Sequence, residues 1–553
     1  MLRVLILGTV FLFSCGSKKD TIAPPPASIK NPVLDRIVIN GLRLNTPLLN
    51  TPVNPKITLY FSQPIKAATV NAITLNDANG VAAATSAVSV DGDSAITIQP
   101  TNNLAFLTRY TINVSTALQS ASGGTLQQSV NSSFVTKLDS SRKFLPISDE
   151  SLLTKVQHQT FNYFWDFAHP VSGMIREGSK HPADLVTSGG TGFGIMALIT
   201  GIERGFITKN AGFQRMQKIV AFLKNTAQTY HGAYPHWLNG STGVTIPFST
   251  NDTGADLVET GFLVQGLICA RQYFSGPGDE AVLRTAINAI IDNVEWSWFR
   301  QNDQPVLYWH WSPDNAWTMN LKIQGWNECL ITYILAAGSK NYPVPKTVYD
   351  EGWTRNGEIK NGKSFYTYPL PLGPDFGGPL FFAHYSFMGL NPNGLSDAYA
   401  NYFTQNKNHA LINYSYCKAN PQNYYGYSDS VWGLTASNTK DGYTASSPLN
   451  DQGVIAPTAA LSSFPYTPKE SMAALHFFYY VLGDKLWKEY GFVDAFSLDV
   501  LKNNGAWFDD AFLAIDQGPI IVMIENYRSG LLWNLFMNAP EVQTGLKKLG
   551  FTF

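Results

Sequence analysis

Leu153-Thr154-Lys155-Val156-Gln157-His158-Gln159-Thr160-Phe161-Asn162-Tyr163-Phe164-Trp165-Asp166-Phe167 is the stretch that decides the fold class. Leu153, Val156, Thr160, Tyr163 and Phe167 follow one another at steps of three and four, which puts them on one face of a helix. The same period returns in Phe213, Met216, Val220 and Leu223, in Ile287, Ile290, Val294 and Trp298, and in Met472, Leu475, Phe478 and Leu482. Between these stripes run long segments rich in Gly, Pro, Asn and aromatics, such as Gly232 to Asp252 and Gly373 to Tyr385. Helices joined by elaborate loops, with no strand and helix alternation, predict an all-helical domain over residues 145–553 and argue against a TIM barrel. Its loops would build a groove at one end.

Ahead of Pro146 the period is two. Ile37 and Ile39, Ile57, Leu59 and Phe61, Ile96 and Ile98, then Tyr110, Ile112 and Val114 alternate with polar neighbours. Asn79-Gly80, Asp91-Gly92 and Ser122-Gly123-Gly124 supply turns between such runs. Residues 29–140 therefore read as a small β-sandwich. Lys56 to Ile65, Tyr110 to Val114 and Ser133 to Thr136 resemble the bacterial Ig-like modules that precede catalytic domains in exported proteins. The segment has no tryptophan and no cluster of acids or histidines, so a spacer role is expected of it.

At the start, Arg3 precedes an apolar run from Val4 to Phe13, too short to span a bilayer and suited to an export signal. Leu12-Phe13-Ser14-Cys15 resembles the lipobox of bacterial lipoproteins, which makes residues 1–15 a lipoprotein signal with Cys15 the acylated residue. Residues 16–28, with Pro24, Pro25 and Pro26, read as a stiff tether. The expectation is an exported protein on the periplasmic or cell-surface side, held to a membrane by lipid. Cys269, Cys329 and Cys417 lie in or near apolar segments and read as buried thiols, with neither a disulfide framework nor a CxxC metal signature.

With 39 basic and 40 acidic residues the formal net charge is -1, so no overall field would gather nucleic acid or an anionic surface. A neutral partner is expected. The 13 tryptophans all fall between Trp165 and Trp533, which places aromatic surfaces, and the search for function, in the helical part.

Asp252-Thr253-Gly254-Ala255-Asp256-Leu257-Val258-Glu259 carries three carboxylates at i, i+4 and i+7. A helix beginning by Asp252 would put Asp252, Asp256 and Glu259 on one face; a cap at Thr253 would leave Asp252 just ahead of the first turn. Either way the acids sit near a helix N-terminus, whose positive dipole end tolerates clustered negative charge. Glu328, within Gly325-Trp326-Asn327-Glu328-Cys329-Leu330, has apolar and aromatic neighbours that would raise its pKa, as a general acid requires near neutral pH. Trp309, Trp311, Trp317 and Trp326 crowd the approach to it and read as a wall for sugar faces. Asp429, Glu525 and Arg528 are further candidates for hydroxyl binding, Arg528 being equally suited to neutralising a buried acid. His169, His181, His231, His236, His310 and His384 form no tight ligand set, so no metal is expected; His384 beside Tyr385 is the best placed to line a groove. Gly189-Gly190-Thr191-Gly192-Phe193-Gly194 lacks the lysine of a phosphate loop and reads as a site of close helix packing.

Thr187 to Ala197, Asp252 to Gly266, Gly325 to Leu330, Gly373 to His384, Tyr427 to Leu434 and Ile515 to Leu531 together resemble the bacterial glycoamylase-like family. Within it they are most similar to the β-1,2-glucan hydrolases of glycoside hydrolase family 144. The resemblance implies an (α/α)6 toroid with a glucan groove and no cofactor or catalytic metal. It also implies hydrolysis of β-1,2-glucan to sophorose or short sophoro-oligosaccharides with inversion. Asp252, Asp256 and Glu259 match the family's acidic cluster and Glu328 its isolated glutamate. Glu328 is then the expected proton donor, with one of the three clustered acids handling water. The alternatives are a hydrolase or transferase for another glucan linkage, or a non-catalytic surface glycan-binding protein.

Overall fold

In Ile57-Thr58-Leu59-Tyr60-Phe61 the apolar side chains at odd positions are fully or almost fully buried, as period two demands of a strand with one face on a core. This strand belongs to the first of two units in a computed structural model that describes residues 9–13, 16, 28–502 and 505–553. The units divide between Lys137 and Leu138. The proposed lipidation residue Cys15 and nearly all of the proline-rich tether lie outside the described residues.

The first unit contains β1 (Leu34–Ile39), β2 (Leu42–Arg43), β3 (Leu48–Thr51), β4 (Ile57–Phe61), β5 (Ile73–Asp77), β6 (Ala82–Ala83), β7 (Thr85–Val90), β8 (Ala95–Pro100), β9 (Arg109–Val114) and β10 (Val130–Thr136). They form two five-stranded sheets, ordered β2-β1-β4-β8-β7 and β3-β10-β9-β5-β6. Ile37, Ile39, Leu59 and Ile98 from one sheet share a core with Leu75, Ile112, Val114 and Phe134 from the other, which makes the unit a β-sandwich.

The second unit is mainly helical: α1 (Asp149–Trp165), α2 (Ser188–Glu203), α3 (Lys209–Asn225), α4 (Leu257–Tyr273), α5 (Asp279–Asp292), α6 (Leu330–Gly338), α7 (Tyr402–Ala419), α8 (Pro457–Leu461), α9 (Pro468–His476), α10 (Gly483–Leu486), α11 (Ala514–Ser529), α12 (Leu531–Met537) and α13 (Pro540–Leu549). Amphipathic α1, α3 and α5 bury one stripe, whereas α2, α4, α6 and α11 are buried nearly all round. The glycines of α2 explain how such helices approach. A Cβ on Gly192 would lie 2.1 Å from the Phe262 carbonyl oxygen, and one on Gly266 would lie 2.2 Å from that of Gly192, so α2 and α4 touch through their backbones.

Three expected stripes end early, the first at Trp165, two residues before Phe167. Helix α5 stops at Asp292, and Trp298 falls in a short 3-10 turn (Trp296–Arg300) with 42% of its surface exposed. Met472 and Leu475 lie in α9, but Phe478 belongs to a π-helical turn, Phe477–Val481. After α9 the apolar period outlasts the regular helix, since Phe478 and Leu482 stay buried in the π-helical turn and at its end, whereas Trp298 turns toward the surface.

Candidate active site

The N-terminal ends of α2, α4, α6 and α11 point toward one region, and short strands brace it: β11 (Leu185–Thr187), β12 (Trp237–Asn239), β13 (Thr245–Ile246), β14 (Ala255–Asp256) and β15 (His310–Trp311). Helix α4 begins at Leu257, capped by Asp256 itself, whose Oδ1 accepts from the amides of Val258 at 3.0 Å and Glu259 at 2.9 Å. Neither expected start, at Asp252 or with Thr253 as cap, is the one adopted. The pairing of Asp256 with His310 in β14 and β15 fixes the cap from the other side.

Asp256 Oδ2 lies 3.2 Å from His236 Nδ1 and 3.6 Å from His310 Nε2, and Asp252 Oδ2 lies 3.4 Å from that same His310 nitrogen. Burial alone would raise the Asp256 pKa, but hydrogen bonds from the two histidines outweigh it and hold the carboxyl well below the usual range. Burial would lower the His236 pKa; the charge of Glu259 and the bond to Asp256 reverse this and lift it to about 10, so the ring is an imidazolium at neutral pH. Asp252, desolvated and only partly compensated by His310, rises to about 6.

Glu259 sits in the first turn of α4, yet its Oε2 accepts from the Gly189 amide at 2.8 Å and from the Thr187 hydroxyl at 3.4 Å, at the start of α2. Gly189 is glycine for this reason: a Cβ there would sit 2.2 Å from that oxygen. Desolvation lifts Glu259 to about 7 against the opposing charge of His236. Glu328 stands just before α6, with its backbone carbonyl held by the Ser386 hydroxyl, and desolvation likewise lifts its side chain to about 7.

Glu259 and Glu328 line one cleft of about 410 Å³. Its walls carry Trp309, His236, Trp237, Phe248, Phe381 and Tyr385, with Tyr443 and Asn438 on a hairpin. Behind the wall, Asp494 Oδ2 accepts from the Asn438 amide at 2.7 Å and interacts with Asp516 in the first turn of α11; burial raises both pKa values, as when two carboxyls share a proton. A larger cavity of about 510 Å³ opens at the opposite ends of α4 and α6, bordered by α5 and α13. None of the four acids borders it, and its Arg271 is held by Glu541 and Asn288.

The structure thus brings Glu259, Glu328 and Trp309 to the cleft, while Asp256 touches the cleft residue His236 and Asp252 touches His310. Other expected binding residues are placed elsewhere. Trp326 is 5% exposed and packs beside Phe387 and Tyr402, so it belongs to the core. Trp311 meets His231 and Trp298 edge-on, and Trp317 packs against Trp298, Phe299 and Tyr308. His384 is buried against Tyr466 and Ser463, where desolvation lowers it to about 3. Asp429 is exposed and bonds its neighbour Ser430. Glu525 is clasped by Arg204 at 2.6 and 2.9 Å and by Gln157 at 2.9 Å, and Arg528 binds Gln157, Thr154 and Glu150. These two charged residues tie α11 to α1 and α2, so they are structural ion-pair members and not groove residues.

His236, Trp237, Phe248, Tyr443 and Asn438 carry the larger part of what sequence reasoning missed. The available signal was the adjacency His236-Trp237 within the Gly232 to Asp252 loop. Among the described residues, Asp252, Asp256 and His310 are the group whose ligand atoms all lie within 4.8 Å of one another. Asp256 already spends both oxygens on the cap and the histidines, which leaves a weak donor set for a cation.

Comparison with known proteins places the chain. Residues 320–540 match the family described as "Putative glucoamylase", and residues 45–136 match a bacterial Ig-like domain. A solved structure from Bacteroides uniformis carrying the same glucoamylase description is 55% identical, with a TM-score of 0.72 over 74% of this chain and 99% of that one. An endo-β-1,2-glucanase from Chitinophaga pinensis, solved with sophorotriose and glucose, is 51% identical with a TM-score of 0.71 over 74% of this chain and 99% of that one. An exo β-1,2-glucooligosaccharide sophorohydrolase from Parabacteroides distasonis is 47% identical over 426 residues, 73% of this chain and 58% of that one. The chain therefore spans less than two thirds of that curated relative.

Proposed function

Because this chain belongs to the glycoamylase-like family that includes β-1,2-glucan hydrolases, we propose that it hydrolyses β-1,2-glucan to sophorose or short sophoro-oligosaccharides. The observation that carries the reading is the meeting of Glu259 and Glu328 in one aromatic-walled cleft. Two acids with pKa values near 7 in a water-poor site suit general acid and base work.

Glu328 is the proton donor, since burial keeps a large fraction of it protonated at neutral pH. Glu259 is the one of the three clustered acids that faces the cleft, and it orders or activates water once ionised. Its Oε2 is fixed by Gly189, so the carboxylate is held without the substrate. Asp256 keeps His236 charged, and that cation favours the ionised form of Glu259. We read the outcome as inversion, with Glu328 acting directly or through a hydroxyl of the kinked glucan.

Glu328→Gln is expected to lower kcat on β-1,2-glucan by about 10²-fold or more. Near-normal turnover would remove Glu328 from the donor role. Proton NMR of the first product anomer tests inversion, and the sizes released from linear and cyclic glucan separate exo from endo action. We also read the alternation of half-exposed α1, α3 and α5 with buried α2, α4 and α6 as an (α/α)6 toroid. Export and lipidation at Cys15 remain our reading of the lipobox; radiolabelled palmitate should enter the wild type and not Cys15→Ala.

A further inference from the structure

The sequence Thr439-Lys440-Asp441-Gly442 turns a short hairpin of strands Ala436–Thr439 and Gly442–Ala445, in which Asn438 pairs with Tyr443. Gly442 takes a φ of +124°, which a side chain would strain. One strand is clamped from behind: the Asn438 amide donates to Asp494 Oδ2 at 2.7 Å and its Nδ2 donates to Asp509 Oδ2 at 2.8 Å. The clamp fixes the opposite residue, Tyr443, in the wall of the acid cleft. Loss of water, then the charges of Asp516, Asp494, Glu177 and Glu259, raise the pKa of its hydroxyl well above the usual value.

Tyr443 is nonetheless 54% exposed, and Phe248, which lines the same cleft, is 47% exposed. Phe248 is held as firmly: its ring packs 4.3 Å from His236 and 4.7 Å from Trp237, and its amide bonds the Asp252 carbonyl. The other large aromatic rings of the wall, Trp237, Trp309, Phe262, Phe381 and Tyr385, are buried or half-buried. Two mounted rings, each about half exposed, thus border the cleft that holds the pair of carboxyls. Pyranose rings present C–H faces that stack on such surfaces.

We propose that Tyr443 and Phe248 clamp a glucosyl ring next to the acids, and that Tyr443 thereby selects the length of chain the cleft accepts. This rests on the glucan reading above. In the clamp the Tyr443 ring supplies the contact and its hydroxyl is secondary, so Phe replaces it and Ala does not.

The test measures Kd for sophoro-oligosaccharides of defined length by calorimetry in the inert Glu328→Gln background, and product lengths with Glu328 intact. Tyr443→Ala is expected to weaken binding about tenfold, the worth of one stacking contact, and to change the released lengths. Tyr443→Phe should stay within about twofold. Phe248→Ala should weaken binding less when Tyr443 is already Ala, because half a clamp is already lost. Unchanged Kd and product lengths in Tyr443→Ala overturn the clamp while leaving hydrolysis intact. If the Glu328→Gln chain still turns glucan over, the donor assignment fails, yet weakened binding in Tyr443→Ala would still support the clamp.

Discussion

At the residue scale, His236 couples the acids. It pairs with Asp256, and its imidazolium charge lowers the pKa of Glu259, the proposed water-handling carboxylate. Removing it by His236→Asn takes away the charge that lowers the Glu259 pKa, so the carboxylate ionises at higher pH. The acid limb of the kcat/KM profile is expected to move upward by about one pH unit, while the alkaline limb, set by Glu328, moves less. An unmoved acid limb would mean that Glu259 does not report there. Stability carries a second signature. The folded pKa of His236, about 10, lies above the free value of about 6.5, so its contribution is complete below the free value and fades as pH rises through about 10. Urea midpoints should therefore separate wild type from His236→Asn more at pH 7 than above pH 10. The four acids were legible from spacing and neighbours, but their division of labour was not. Which acids are tied up behind the cleft depends on His236, just ahead of β12, and His310 in β15, both 16 or more residues away, and no local pattern announces that pairing.

At the element scale, the decisive feature is the backbone contact between α2 and α4. Glycine at 192 and 266 lets the two helices close until the first turn of α4 can reach the first turn of α2, which is how Glu259 comes to bind the Gly189 amide. Gly266→Ala would place a methyl 2.2 Å from a carbonyl oxygen, and backbone cannot move aside as a side chain can. We expect a loss of about 2 kcal/mol or more, read as a lower urea midpoint. Activity at saturating glucan should fall as well, because separating the helices detaches Glu259 from α2. A stable variant with a slack Glu259 would show normal melting and low kcat, and a variant unchanged in both would refute the contact. Periodicity exposed α1 and α3 well because each buries a single stripe. It was a poor guide to α2, α4 and α11, whose hydrophobic surface runs all round, and to the tryptophans. Trp326 and Trp309 were both expected in the groove wall, yet one fills the core and the other borders the cleft.

At the scale of the whole molecule, the division at Lys137 separates two units that each have a closed core of their own. The sandwich holds its core within its two sheets, and the cleft residues all come from the helical unit. The solved relative from Bacteroides uniformis is matched over 99% of its length by 74% of this chain, a share close to that of the helical unit. A chain beginning at Leu138 is therefore expected to fold cooperatively, since α1 starts after the division and carries its own cap, Ser148. Its kcat/KM on sophoro-oligosaccharides of three to five units, the smallest that fill a cleft of about 410 Å³, should lie within about threefold of the full chain. Long or cyclic glucan poses a different question, because a polymer extends past the cleft. If short substrates are handled equally and polymers are not, the sandwich acts on substrate presentation. If turnover of the short substrates collapses while melting stays cooperative, the sandwich contributes to the site itself, and the spacer role expected of residues 29–140 falls.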